Sequence, residues 1–200
     1  MKVVAYAART AAAPLERYEY EAGPLGPREV DIRVTHCGVC HTDVGMIDDE
    51  FGFARFPVVA GHEVVGEVAA IGTDVDPAQL PIGARVGLGA IAGSCFRCEW
   101  CVRGQHQHCP DRDDQVLRGD RGGFAQQVRA GDWRHVQPIP DEIPSAAAAP
   151  LLCAGTTVFA PLLRHRVSPT ARVAVVGIGG LGHLAVQFFA AWGWTARWPR

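Results

Sequence analysis

Val173-Ala-Val-Val-Gly-Ile-Gly-Gly-Leu-Gly182-His-Leu-Ala-Val-Gln-Phe-Phe-Ala-Ala191 decides the fold class of this chain. Four small or β-prone apolar residues precede Gly177-x-Gly179-Gly180-x-Gly182, and Leu184, Gln187, Phe188 and Ala191 continue at helical spacing. The stretch predicts strand, turn and helix. In that setting the glycines read as a dinucleotide fingerprint, with Gly177, Gly179, Gly180, Leu181 and Gly182 as contacts. They permit a tight turn and close approach of a pyrophosphate, whose charge meets the free N–H groups at the helix start. The alternative is a glycine-rich turn with no ligand. One part of the fingerprint is missing, because about 20 positions on an acidic residue should meet the ribose 2′-hydroxyl. The chain there reads Thr195-Ala-Arg-Trp-Pro-Arg200.

Upstream of residue 140 the period changes to two. Val30, Ile32 and Val34 alternate with Glu29, Asp31 and Arg33, as on a half-buried strand, and Val64–Ile71, Arg85–Ala90, Gly123–Ala130 and Arg134–Pro138 read the same way. Cys40–Asp49 predicts a short helix weakened by Gly45. Glu142 is the last acidic residue, so the net charge of −2 divides into −7 for residues 1–142 and +5 for the rest. With Pro138, Pro140, Pro144 and Pro150 at the same place, the composition predicts a β-rich domain over residues 1–150 and the start of an α/β unit over 151–200.

With 48% hydrophobic and 20% charged residues, the 200-residue chain groups with globular proteins. Its charge balance offers no electrostatic footprint for a phosphate backbone, so no nucleic-acid partner is expected. Ser145–Leu163 and Val173–Trp192 have the length of membrane spans. Pro150 and Pro161 interrupt the first and the glycine cluster breaks the second, so no membrane association is expected. The apolar run Val3–Ala8 is too short for a secretory signal, and the expected location is cytoplasmic.

Seven cysteines, an odd number, argue against a pure disulfide framework. Cys95-x2-Cys98-x2-Cys101-x7-Cys109 places four thiolates within one short loop, enough to close around a tetrahedral zinc ion and leave no position for substrate. Such a site is structural. An iron–sulfur centre is the competing reading, since soft sulfur ligands suit both. His106 and His108 could each replace a cysteine, but Cys109 already completes an all-sulfur set. Cys40 and Cys153 with one histidine, such as His62, would form a second site of two thiolates and an imidazole with its fourth position open, as a catalytic zinc requires. Spacing leaves that open, because a histidine beside a glycine is commonly a satisfied polar residue and Cys153 lies in an apolar stretch.

Cys37-Gly-Val-Cys40-His41-Thr42-Asp43, Gly61-His62-Glu63-x2-Gly66-x5-Gly72-x2-Val75, the four-cysteine loop, Pro150-Leu-Leu-Cys153-Ala-Gly-Thr156-Thr157 and the glycine turn occur in one order. Through them the sequence resembles the zinc-containing alcohol dehydrogenases of the medium-chain dehydrogenase/reductase superfamily, above all the cinnamyl-alcohol-dehydrogenase-like aldehyde reductases, over residues 1 to about 194. The resemblance implies a GroES-like β-rich catalytic domain followed by the first βα unit of an incomplete Rossmann-type domain. It implies two zinc ions per chain, with Cys40, His62 and Cys153 on the catalytic one. It also implies NADP or NAD as cofactor and a small-molecule alcohol or aldehyde as substrate. Asp43 would orient His62 from behind the metal, Glu63 would be an acid able to approach it, and His41 and Thr157 would lie near the cofactor. Cys37 matches no ligand position and reads as a packing residue.

The implied reaction is hydride transfer between the nicotinamide and an alcohol or aldehyde, with Thr42 carrying the proton and His41 next to it. Many members of the resembled family continue that relay with a histidine three residues beyond Thr42, where this chain has Gly45. The route must then use His41, an acid such as Asp48 or Glu50, or water. The family pattern also continues past Gly193 with further strands, whereas this sequence departs into Trp194-Thr-Ala-Arg-Trp-Pro-Arg200. The expectation is a truncated chain, inactive by itself, whose exposed apolar segments favour a homo-oligomer. The alternative is a non-catalytic zinc-binding remnant of such an enzyme.

Overall fold

The computed structural model describes residues 2–114, 121–168 and 170–193. Strand β1 (Lys2–Ala7) pairs antiparallel with β2 (Glu16–Glu21), from Lys2 opposite Glu21 to Ala7 opposite Glu16. Val3, Ala5 and Ala7 point inward at every second position, the period a half-buried strand requires. The periodicity reading passed over this pair because two of the three inward residues are alanines.

Five of the remaining strands build an antiparallel sheet in the order β8 (Gln127–Ala130), β3 (Val30–Cys37), β4 (Val64–Ile71), β5 (Arg85–Leu88), β9 (Gln137–Pro138). Its centre is β3 against β4, both where the sequence pattern put them. The flanks are β5, β8 and β9, and a short pair joins β6 (Ile91–Gly93) to β7 (Asp113–Asp114). Val30, Ile32, Val64, Val68, Val86, Leu88 and Val128 form one fully buried cluster. Each such side chain contributes about 1.5–3 kcal/mol by leaving water.

Three predicted strands are shorter than their sequence pattern: Arg85–Ala90 ends at Leu88, and two others start late. Residues 124–126 serve two sheets: Tyr6 N donates to Phe124 O, Gln126 N to Val4 O, and Val34 N to Gln126 O, so β8 begins only at Gln127. The pattern over Arg134–Pro138 opens as a 3-10 turn, Trp133–His135, because the Asp132 carboxylate captures the Arg134 N–H at 3.1 Å and caps it. A buried cation closes the base of the sheet: Arg129 donates to both Asp31 oxygens, at 2.7 and 3.0 Å, and to the carbonyls of Ala22 and Pro24.

The predicted helix forms as α1 (His41–Ile47). Helix α2 (Glu99–Val102) lies in the cysteine loop, and after β9 the chain runs through α3 (Ser145–Ala148) and the 3-10 turn Ala149–Leu152 into α4 (Ala154–Arg164). Ala148, Ala149 and Leu152 pack on Val65, seating Cys153 against the sheet. Helix α5 (Gly180–Ala191) packs along α4, with Phe159 5.3 Å from Phe188 and 5.7 Å from Trp192 between ring centroids. Helix and turn follow the fingerprint reading, but Val173–Val176 joins no ladder among the described residues, and Val176 is 98% exposed. A parallel strand needs neighbours on its edges, and none of the described strands lies beside it. Among the described residues no single helix is long and apolar enough to cross a membrane; Ser145–Leu152 with Ala154–Arg164 passes by length and composition as a pair, bent by 55°.

Candidate metal centres and nucleotide-binding turn

The loop after β6 gathers four cysteines. The Sγ atoms of Cys95, Cys98, Cys101 and Cys109 all lie within 4.8 Å of one another, with Cys95 and Cys101 4.0 Å apart. Backbone N–H groups point at the sulfurs: Cys98 N lies 3.3 Å from Cys95 Sγ, Cys101 N 3.5 Å from Cys98 Sγ, and Cys95 N 3.4 Å from Cys109 Sγ. Donors aimed at sulfur favour the thiolate, and the N–H groups of Arg97 and Cys98 draw the Cys95 thiol down from its ordinary range. Four converging sulfurs with these donors fit a tetrahedral soft cation. Neither histidine of the loop joins them. His106 Nδ1 sits 3.1 Å from Ser94 Oγ, and the His108 ring packs on Trp100 at 5.2 Å.

The scattered residues also converge. Cys40, His62, Glu63 and Cys153 offer ligand atoms that all lie within 4.8 Å of one another, although 113 positions separate the two cysteines. Three local structures do this: the N-cap of α1 supplies Cys40, the turn entering β4 supplies His62 and Glu63, and the N-cap of α4 supplies Cys153. The turn needs a glycine. Gly61 has φ +105, and a Cβ there would come within 2.7 Å of the Phe124 backbone nitrogen.

Asp43 is fully buried and organises the site. Its Oδ1 accepts from Gly61 N at 2.8 Å and from His62 Nδ1 at 2.9 Å, while its Oδ2 accepts from Cys40 N at 2.9 Å. With Nδ1 donating, the other ring nitrogen carries the lone pair a metal needs. Burial opposes a charged His62, but the hydrogen bonds and charges of Asp43 and Cys153 outweigh it and lift the ring to about 10. A pocket that favours positive charge this strongly, with two sulfurs and a carboxylate around it, fits a divalent cation by the chemistry of its donors. Burial raises the Glu63 carboxyl above its usual range. Cys37 stays outside the set, its thiol pushed up to about 12 by burial, and packs below Gly61.

The residues read as proton carriers lie in the first turn of α1, next to Cys40. Thr42 Oγ1 is 3.8 Å from Cys40 Sγ, and the exposed His41 ring is 4.0 Å from Glu50 Oε2. At Gly45 a Cβ would stand 2.8 Å from the exposed Phe51 ring and 3.1 Å from Glu50 Oε2, so a side chain there requires both of these surface residues to shift. Phe51 and Glu50 thus take the space beside Thr42's helix that a longer residue at 45 would use, which the sequence did not reveal.

At the glycine turn, Gly177 has φ +87 and Gly182 packs so tightly that a Cβ would fall 1.9 Å from Gly177 O. Around Gly177, Gly179 and Gly180 nothing stands within 4 Å of a Cβ position, so the N-terminus of α5 is open to a ligand, with Leu181 exposed at its edge. Thr157 is exposed one turn beyond Cys153, whose carbonyl accepts its N–H at 2.9 Å.

The alcohol dehydrogenase GroES-like domain matches residues 26–141, more than half of the chain. An aldehyde reductase from Synechocystis is 48% identical over 191 residues, covering 96% of this chain and 56% of its own. Among solved structures, a cinnamyl alcohol dehydrogenase from Sorghum bicolor superposes with a TM-score of 0.90 at 38% identity, covering 98% of this chain and 57% of that one. A Helicobacter pylori relative complexed with NADP(H) gives 0.86 at 28%, covering 96% and 57%. The chain thus spans about half the length of the relatives it matches. With the β-rich sheet, two convergent donor sets and the glycine turn in place, the chain belongs to the zinc-containing alcohol dehydrogenases of the medium-chain dehydrogenase/reductase superfamily.

Proposed function

We propose that this chain carries the zinc-binding centre of an enzyme interconverting primary alcohols and aldehydes with NADP or NAD. In this reading residues 1–150 form the catalytic domain and residues 151–200 open the nucleotide-binding one. The observation that carries it is the convergence of Cys40, His62 and Cys153 on one point with Asp43 behind the histidine. Cys40, His62 and Cys153 hold one zinc ion, with Glu63 beside it; Cys95, Cys98, Cys101 and Cys109 hold a second. The first supplies Lewis-acid polarisation of the substrate C–O bond. Asp43 keeps His62 in the tautomer that ligates. Thr42 hydrogen-bonds the substrate oxygen and exchanges its proton, and His41 with Glu50 passes that proton to solvent. Gly177–Gly182 receive the cofactor pyrophosphate, with His41 near it and Thr157 as a further cofactor contact.

Zinc-loaded protein incubated with NADPH and an aromatic aldehyde, followed at the reduced-nicotinamide absorbance band, tests this reading. Zinc-dependent oxidation that is lost in Cys40→Ala supports the zinc assignment and overturns the expectation that the chain is inactive by itself. A second reading, a zinc-binding protein without hydride transfer, draws on Val173–Val176, which joins no ladder among the described residues and leaves Val176 98% exposed. Two zinc ions bound with no turnover and no NADPH binding would favour it.

The relay gives a separate expectation for enzyme that turns over. Thr42→Ala should lower turnover by about 10²–10⁴-fold, the range for a lost general acid–base group, with zinc content unchanged. Glu50→Gln should slow alcohol oxidation near neutral pH more than Asp48→Asn does, because Glu50 faces His41. Equal effects of the two variants would place the route elsewhere.

A further inference from the structure

The turn Cys95-Phe96-Arg97-Cys98 is held from outside the cysteine loop. Phe96 adopts φ +54, a left-handed conformation unfavourable for a bulky residue. That turn aims the N–H groups of Arg97 and Cys98 at the Cys95 sulfur. Phe96 itself is boxed in. The Arg134 guanidinium lies 3.4 Å over its ring centroid, and the rings of His106 and His135 stand at 4.8 and 5.3 Å. Ser94 Oγ bridges the two histidines, 3.1 Å from His106 Nδ1 and 3.0 Å from His135 Nε2.

Arg134 is fixed in turn. Its Nε and Nη2 donate to the two oxygens of buried Asp132 at 2.8 and 2.7 Å, a fork that sets the guanidinium plane. Asp132 N donates to Ala92 O in β6, and Trp133 N to Arg28 O just before β3, so the clamp is anchored outside the cysteine loop. The Asp132 carboxylate, against a burial penalty, and the Cys101 sulfur both favour the charged guanidinium.

We propose that Arg134 is a positioning residue of the four-cysteine site: stacked on Phe96 and locked by Asp132, it holds the sulfur-facing turn in place, puts a fixed positive charge beside the thiolates, and so governs how tightly the loop retains zinc. The inference rests on the reading of those cysteines as a zinc site. Four thiolates around a divalent ion leave a net negative charge, which a rigid cation from the neighbouring sheet offsets. Arginine suits the place because a lysine cannot both stack on the ring and fork onto the carboxylate.

The test is zinc release from the loaded protein to an excess of a metallochromic chelator at 25 °C. The slower phase is assigned to the loop by its loss in Cys98→Ser. Arg134→Gln should accelerate that phase by about 10–100-fold, the usual effect of removing a partner that orients ligands. Arg134→Lys should accelerate it less, and Phe96→Leu should resemble Arg134→Gln. Arg33→Gln, which breaks the exposed pair with Glu67, should leave it unchanged. A merely structural arginine would lower the unfolding temperature without changing release well below it. Folded Arg134→Gln with the wild-type release rate overturns the proposal. Should Arg134→Gln not fold, wild-type release in both Arg134→Lys and Phe96→Leu overturns it equally. A wild-type chain with no slow phase and no loop zinc defeats the zinc reading itself, and this inference with it; a wild-type slow phase unaffected by the variants defeats the inference alone.

Discussion

Cys98→Ser is expected to remove one of two zinc equivalents and to lower the unfolding midpoint by about 10 °C or more, from the usual 2–4 °C per kcal/mol for a chain of this size. The reason is the poverty of the loop's own structure. Helix α2 has four residues, far below the length at which a helix stands alone, and the 3-10 turn His106–His108 has three. Only Cys101 and Cys109 of the loop's cysteines are fully buried, so the loop owes its order to the sulfurs meeting at one point. Structural zinc sites carry roughly 10–16 kcal/mol of apparent binding free energy in small peptides. Losing one thiolate forfeits part of that while the valine-rich cluster of β3, β4, β5 and β8 stays intact. Elemental analysis and thermal unfolding of the variant against wild type make the check. Unchanged zinc content, or iron in place of zinc, contradicts it.

That loop was the most legible part of the chain, because its four donors are local: Cys95, Cys98 and Cys101 recur at three-residue spacing and Cys109 follows within the same loop. Strand β3 was legible too, because Val30 and Ile32 face the main core in alternation; β4 was legible from its β-prone composition, with Val64 and Val65 buried on opposite faces. Legibility fails where a residue serves two neighbours. Residues 124–126 have strand-like composition yet divide their hydrogen bonds between β1 and β3, and Arg134 stands in an alternating pattern that Asp132 turns into a 3-10 cap. Val173–Val176 has a strand's composition, and composition alone makes no ladder.

The scattered site shows the opposite case. Nothing local links Cys40, His62 and Cys153, and spacing by itself left them as a lone histidine and two cysteines; the motif resemblance singled them out. What joins them is tertiary: the register of β3 on β4 brings Cys37 opposite Val64 and so sets His62 beside the start of α1, while Val65 receives the Ala148–Leu152 turn that presents Cys153. The aromatic and imidazole cluster of Phe96, His106, His135 and Arg134 had no sequence signal, since its members lie up to 39 positions apart and match no motif.

Asp43→Ala is expected to abolish retention of the second zinc and to destabilise the chain by several kcal/mol. One carboxylate satisfies three donors, the buried Gly61 N and His62 Nδ1 and the half-buried Cys40 N, which come from two of the three segments that build the site. A buried donor left without an acceptor costs about 1–3 kcal/mol, and alanine strands two of them at once. Zinc affinity suffers separately, by about 10–100-fold, because His62 loses the partner that fixes its tautomer and ring plane. Asp43→Asn divides the two effects. Its carbonyl oxygen still accepts from one side, but its amide turns a donor toward a donor on the other. It should therefore fold better than Asp43→Ala yet lose the second zinc under a chelator wash that leaves the loop zinc bound. Two zinc equivalents retained by folded Asp43→Asn after that wash would show that His62 does not need Asp43 to ligate, and that the carboxylate serves only to join α1 to the turn before β4.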